Sequence, residues 1–238
     1  MIREVKTSIR YPGGKNGAGH WQWLISRMPT HAYYVEAFAG SAALFRRKPP
    51  ALVSTLIDID ENVIRWHRRR DWPGTHVLQG DAFAWLRGQA TLYDHDWLIY
   101  LDPPYLPETR SKRKCYEHEL TAEQHVELLE IIAALPARVM LSGYPSQLYD
   151  RRLAEWWRET RPVQTRGGIR TECLWTNYNP RRVPLNRVPR PGKDWRERQR
   201  IARKIARQQR IFAALPDYEQ DALLAALLEV NRRRPRRE

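Results

Sequence analysis

The chain reads as an α/β protein built on a largely parallel sheet, and three observations point there. Up to about Pro180, short apolar strand-like runs alternate with helix-like segments. Several of these runs end in glycine or aspartate, at Gly40, Asp58, Gly80-Asp81 and Asp102, where open α/β sheets build their ligand sites. The run Trp97-Leu98-Ile99-Tyr100-Leu101 is also continuously apolar, as a strand covered on both faces must be.

Taken in order, Tyr33 to Phe38 forms a first strand ending at Ala39-Gly40-Ser41, and a helix resumes over Ala42 to Arg47. Leu52 to Ile57 is a second strand ending at Asp58, and a helix follows from about Glu61 to Arg70. His76 to Gln79 is a third short strand, and Trp97 to Leu101 the fourth. Glu108 to Glu119 is polar and rich in arginine and lysine. Thr121-Ala122-Glu123-Gln124 opens a helix with a capping-type start, and Leu128, Leu129 and Ile132 mark its apolar face. Arg138 to Ser142 is a fifth strand and Glu172 to Tyr178 a late one.

Composition shifts at Asn179-Pro180. The expected organisation is therefore a sheet domain over 1–180, a Pro- and Arg-rich linker over 181–193, and a basic helical hairpin with a tail over 194–238. In the hairpin, Asp194 to Phe212 is the basic helix and Asp217 to Val230 the more apolar one. An apolar seam of residues 201, 205, 211 and 212 against Leu223, Leu224, Leu227 and Leu228 is expected to close it.

Lysine and arginine outnumber aspartate and glutamate 41 to 27, a net charge of +14 that calls for a polyanionic partner. Nucleic acid fits best, because phosphates supply a dense, repeating negative field. The ten tryptophans are scattered and form no amphipathic belt, which argues against a membrane surface. No stretch approaches the ~20 apolar residues of a membrane span, and the start lacks the apolar core of a signal peptide. Two isolated cysteines without metal-ligand spacing fit a reducing cytoplasm, and no metal is expected.

The fourth strand runs into Asp102-Pro103-Pro104-Tyr105. The two prolines fix the backbone and remove two N–H donors while leaving carbonyl acceptors in place. Asp102 adds a side-chain acceptor and Tyr105 a flat ring. Acceptors without donors, set beside a stacking face, suit a planar group that carries an amine.

The ordered set of motifs resembles the DNA adenine methylases of the Dam type, over roughly residues 8–180. Tyr11-Pro12-Gly13-Gly14-Lys15 is similar to that family's N-terminal aromatic-x-Gly-Gly-Lys, Glu36 to Ser41 to its glycine-containing first-strand loop, and Asp102 to Tyr105 to its catalytic tetrapeptide. Leu141-Ser142-Gly143-Tyr144 and Glu172 to Tyr178 are similar to later segments of small, phage-like members.

The resemblance implies a Rossmann-like S-adenosylmethionine-dependent methyltransferase sheet carrying a C-terminal basic helical extension. It implies transfer of methyl from S-adenosylmethionine to the exocyclic amine of adenine in DNA, with base flipping. Asp102, Pro103, Pro104 and Tyr105 are the catalytic set, with Tyr105 stacking on the flipped base. Tyr11, Gly14, Lys15, Glu36, Phe38, Gly40, Asp58, Asp81 and Asp102 are the expected cofactor contacts.

Asp58 stands where ribose hydroxyls are gripped in dinucleotide-type folds, and Asp60 is the near alternative, with an ordinary role as a helix N-cap. Asp81 has the same two readings. The partner is double-stranded DNA, the protein a cytoplasmic monomer, and restriction–modification or an orphan phage-like role its setting.

Larger members carry a target-recognition insertion before the catalytic strand, and none is present in this chain. Two regions stand in for it as expected DNA contacts: Arg110, Lys112, Arg113 and Lys114 after the tetrapeptide, and Arg200, Arg203, Lys204 and Arg207 on the basic helix. A fold that has lost activity, or one acting on a cytosine amine or on RNA, is the alternative.

Overall fold

A computed structural model of the chain describes residues 15, 19–89, 94–109, 118–165, 168–185, 200, 203, 204, 207, 208 and 210–232. Two compact units emerge, Met1–Val188 and Pro189–Glu238.

The first unit is a mixed sheet of seven strands in the order β3-β2-β1-β4-β5-β7-β6. Its strands are β1 (Tyr33–Glu36), β2 (Val53–Asp58), β3 (Thr75–Gln79), β4 (Trp97–Leu101), β5 (Arg138–Gly143), β6 (Trp157–Thr165) and β7 (Gly168–Thr176). β1 to β5 run parallel, and β7 enters antiparallel between β5 and β6. The strand order reverses between β1 and β4, the crevice where doubly wound, Rossmann-like sheets bind ligands.

Alternation along the central strands feeds two cores. Val35, Ile99, Leu101, Val139 and Leu141 face one side, packed with Leu128, Leu129 and Ile132 of α4 (Ala122–Ala133) and with Phe83 and Leu86 of α3 (Ala82–Gly88). Tyr34, Leu98, Tyr100 and Met140 face the other, packed with Trp23, Leu24 and Ile25 of α1 (His20–Ile25). The remaining helices of this unit are α2 (Glu61–Arg68) and α5 (Gln147–Arg152). α4 begins with a complete capping box between Thr121 and Gln124.

Three elements differ from expectation. Ala42 to Arg47 is a run of turns, not a helix; it opens with Ala42 at φ 45°, a left-handed conformation that no helix accommodates. β6 was not legible, because an exposed edge strand needs no apolar alternation and accepts a proline, here Pro162. β7 begins at Gly168, four residues before the late strand expected from Glu172, because its outer half pairs with β6 alone.

The second unit holds helical residues at 200, 203, 204, 207, 208 and 210–213, then α6 (Asp217–Arg232). Arg200, Arg203, Lys204 and Arg207 are exposed. Among its described residues Ile211, Leu223 and Leu227 are exposed as well, so the apolar seam expected to close a helical hairpin is not formed by them. No helix among the described residues is long and apolar enough to cross a membrane.

Candidate active site

Four strand ends converge on one cavity of about 400 Å³. Glu36 comes from β1, Asp58 from β2, Asp81 from just past β3, and Asp102 from just past β4. Lys15, Phe38 and Gly40 also line it. Every described residue expected to meet the cofactor thus lies on one surface; Tyr11 and Gly14 are outside the described residues.

The turn after β1 is shaped by backbone hydrogen bonds. Gly40 has φ 46°, a conformation that favours glycine. Its N–H donates to Asp58 Oδ2 at 2.8 Å, and its carbonyl accepts from His67 Nε2 at 2.9 Å. Asp58 Oδ1 accepts from the Asp60 N–H at 3.0 Å. Asp58 therefore ties β1 to β2 while lining the cavity, and burial raises its carboxyl above the usual range against the pull of those two N–H groups. Asp60 caps α2, accepting from Asn62 N–H. Asp81 caps α3 through Phe83 N–H and also lines the cavity, so its two readings coexist.

Glu36 is buried, accepting at Oε2 from Tyr34 Oη at 2.9 Å and Phe45 N–H at 3.1 Å. Burial, resisted by those bonds and aided by Asp102, pushes its carboxyl up to about 8. With the unfolded value near 4.5, the folded state holds the extra proton between these limits. The contribution of Glu36 to stability is therefore fullest below pH 4.5 and is lost as pH rises towards 8. Urea unfolding should show Glu36→Gln removing a loss on the order of 3 kcal/mol between pH 5 and 7.5. An unchanged slope would remove Glu36 as its source.

At the head of the cavity lies a charge cluster. Lys15 Nζ sits 2.7 Å from Asp102 Oδ1 and 2.9 Å from Glu172 Oε1, with a hydrogen bond to Tyr105 Oη as well. Tyr105 Oη donates to Glu172 Oε1 at 2.6 Å, and Ser142 Oγ to Asp102 Oδ1 at 3.0 Å. Burial opposes the charge on Lys15, but the two carboxylates outweigh it and hold the ammonium well above the usual lysine range. Burial raises Glu172, against the attraction of Lys15. Burial, with Lys15 and Arg161 nearby, lowers His20 to about 3, so this neighbouring ring is neutral. Asp102 Oδ1 is thus crowded with donors, while Oδ2 accepts from no described residue.

Glu172 was missed as a site residue because nothing in the sequence ties position 172 to positions 15 and 102; the antiparallel insertion of β7 does. Ile59, Phe83 and His118 also line the cavity unannounced. Tyr105 departs from expectation. It is 7% exposed, its hydroxyl joins the cluster, and its ring packs edge-on against Tyr144 at 4.6 Å. It lies outside the main cavity, as does Pro103, whereas Pro104 lines it. The free stacking face expected of Tyr105 is therefore covered. Arg110, Lys112, Arg113 and Lys114 fall outside the described residues.

The charged residues of the lining are mostly acidic, although the chain carries +14 overall. Carboxylates from Glu36, Asp58, Asp81 and Asp102 surround apolar surface from Phe38, Ile59 and Phe83. Such a lining rejects a phosphate and accepts a ligand with an ammonium or sulfonium, hydroxyls and a flat apolar ring.

No family model and no curated protein matches the chain. Solved structures with a similar arrangement include a SAM-dependent methyltransferase from Agrobacterium tumefaciens, at 14% identity over 67% of this chain and 61% of that one, TM-score 0.44. SMU.776, a candidate methyltransferase complexed with SAH, is similar at 9% identity over 64% of this chain and 46% of that one, TM-score 0.45. A candidate methyltransferase from Escherichia coli, yhhF, is similar at 18% identity over 71% of this chain and 97% of that one, TM-score 0.44. The chain spans less than two thirds of the first two.

Proposed function

We propose that this chain is an S-adenosylmethionine-dependent methyltransferase acting on the exocyclic amine of adenine in duplex DNA, in the manner of the Dam-type enzymes its motifs resemble. The observation that carries the reading is the joining of two features at one point. An acidic, partly apolar cavity meets a rigid Asp-Pro-Pro loop whose carboxylate keeps one oxygen uncommitted among the described residues.

The lining fits the cofactor. Asp58 and Asp81 would take hydroxyls and adenine-end donors, Phe38, Ile59 and Phe83 the ring, and Glu36 the ammonium, whose charge would draw off the proton that burial holds on this carboxyl. Bound there, S-adenosylmethionine supplies an electrophilic methyl group. The chain's own residues prepare the acceptor. Asp102 Oδ2 and the Pro103 carbonyl would accept the two amine N–H groups, turning the nitrogen lone pair away from the purine ring. Positive charge then grows on that nitrogen, and the fixed carboxylate stabilises it more than the neutral ground state. The proton leaves after transfer, so Asp102 need not be a strong base. Lys15 keeps Asp102 in one orientation, and Glu172 divides the lysine's charge so that Asp102 does not carry it alone.

Incubating the full chain with unmethylated duplex DNA and methyl-labelled cofactor should place label in N6-methyladenine. Label only in cytosine or only in RNA would overturn the substrate, and no label the activity. Asp58→Asn should weaken cofactor binding about tenfold in calorimetry, since one charged acceptor is lost while Gly40 and Asp60 still need theirs. An unchanged affinity would remove Asp58 from the cofactor site.

A further inference from the structure

β6 and β7 extend past the sheet that they complete. β5 pairs with β7 only over Cys173–Thr176, whereas β6 accompanies it out to Gly168. The Gly168–Glu172 half of β7 is therefore one side of a two-stranded ribbon, ~17 Å long.

Alternation and register put Glu172, Arg170 and their partners Arg161 and Val163 on one face. That face belongs to the charge cluster, because the Glu172 carboxylate reaches Lys15 and Tyr105. Arg161 Nη1 donates to the Gly19 carbonyl at 2.9 Å, and Arg170 lies close enough to Tyr144 for its charge to act on that phenol. The acids on this face are already engaged: Glu172 by Lys15, and Glu159 by Arg27 and Trp23. On the opposite face Thr160, Pro162, Gln164 and Thr171 carry no charge, and Ile169 is 72% exposed, with no part in the core.

We propose that the face of this ribbon carrying Arg161 and Arg170 holds duplex DNA beside the catalytic cluster, with both arginines on phosphates flanking the target nucleotide. The inference rests on the proposed function and supplies the contact that the absent recognition insertion leaves open. A two-stranded ribbon matches the major groove of B-DNA, ~12 Å wide. The deep, narrow major groove of an RNA duplex does not admit it. Addition of a protein strand is disfavoured, because Pro162 lacks an N–H on the open β6 edge and the charged Arg161 precedes it.

The test uses the full chain as wild type, Arg170→Ala and Ile169→Asp. Anisotropy with a random-sequence duplex is followed from 50 to 200 mM salt, with an RNA duplex as competitor. Cofactor calorimetry and methyl transfer to unmethylated bacterial DNA run alongside. Arg170→Ala should weaken the duplex roughly tenfold, lower the log–log salt slope by ~0.9, and raise KM for DNA more than it lowers kcat. Ile169→Asp, on the opposite face, should leave duplex affinity within about twofold of the wild type, and both variants should keep wild-type cofactor affinity, which shows them folded. Unchanged binding and slope in Arg170→Ala, an equal loss in Ile169→Asp, or RNA competing as well as DNA, overturns the ribbon's role even where the wild type transfers methyl. Loss of duplex binding in Arg170→Ala alone, with no transfer by the wild type, supports the ribbon and overturns the methyltransferase reading.

Discussion

Asp102→Ala is expected to lower methyl transfer by ~10³-fold or more while duplex DNA binding persists. The substitution removes the carboxylate of the Asp-Pro-Pro loop, whose Oδ2 accepts from no described residue, and touches none of the arginines. It also leaves Lys15 paired one-to-one with Glu172, 2.9 Å away, so the buried charge stays balanced and the fold tolerates the loss. Asp102→Asn separates two contributions. It keeps an acceptor of the same shape but no charge, so a defect close to that of alanine assigns the effect to electrostatic stabilisation. Single-turnover transfer measures both variants. A loss under tenfold in Asp102→Ala would remove Asp102 from the chemistry.

Lys15→Met should have the largest effect on stability. The ammonium is 4% exposed between two carboxylates, and removing it leaves them facing each other without a counter-charge. Breaking one side of such a buried set costs ~3–5 kcal/mol. Glu172, raised by burial and no longer held down by Lys15, would then bind its proton more tightly in the folded than in the unfolded state, so the variant keeps most stability at low pH and loses it as pH rises. Lys15→Met with Glu172→Gln should recover a large part of the loss, because one of the stranded charges is gone. Urea unfolding at pH 5 and 8 reads the pattern. A destabilisation under ~1 kcal/mol, or one independent of pH, would show that the ammonium does not balance the cluster.

The parallel half of the fold was legible because its strands are buried on both faces and announce themselves as apolar runs ending in Gly or Asp. Gly40, Asp58, Asp81 and Asp102 were found this way, each fixed by its distance from a strand end. β6 was not legible, since an edge strand is under no apolar constraint, and with it went the register that carries Glu172 to Lys15. Tyr105 was located correctly in sequence but not in environment, because its burial depends on Tyr144 and Glu172, which lie far along the chain. The stretch from Ala42 has the composition of a helix, and the left-handed turn at Ala42 leaves no trace in it.

The order of strands across the sheet also sets an order in time. β1 to β4, with the loops after them, supply most of the cavity lining, so a growing chain has those residues in hand before β5 is made. Among the described strands β6 pairs only with β7, and Glu172 lies on β7, the last of them to leave the ribosome. A nascent or truncated chain that stops short of Glu172 therefore carries every residue of the cavity lining while Lys15 still lacks its second carboxylate. Finishing translation of the sheet and completing the charge cluster are one event.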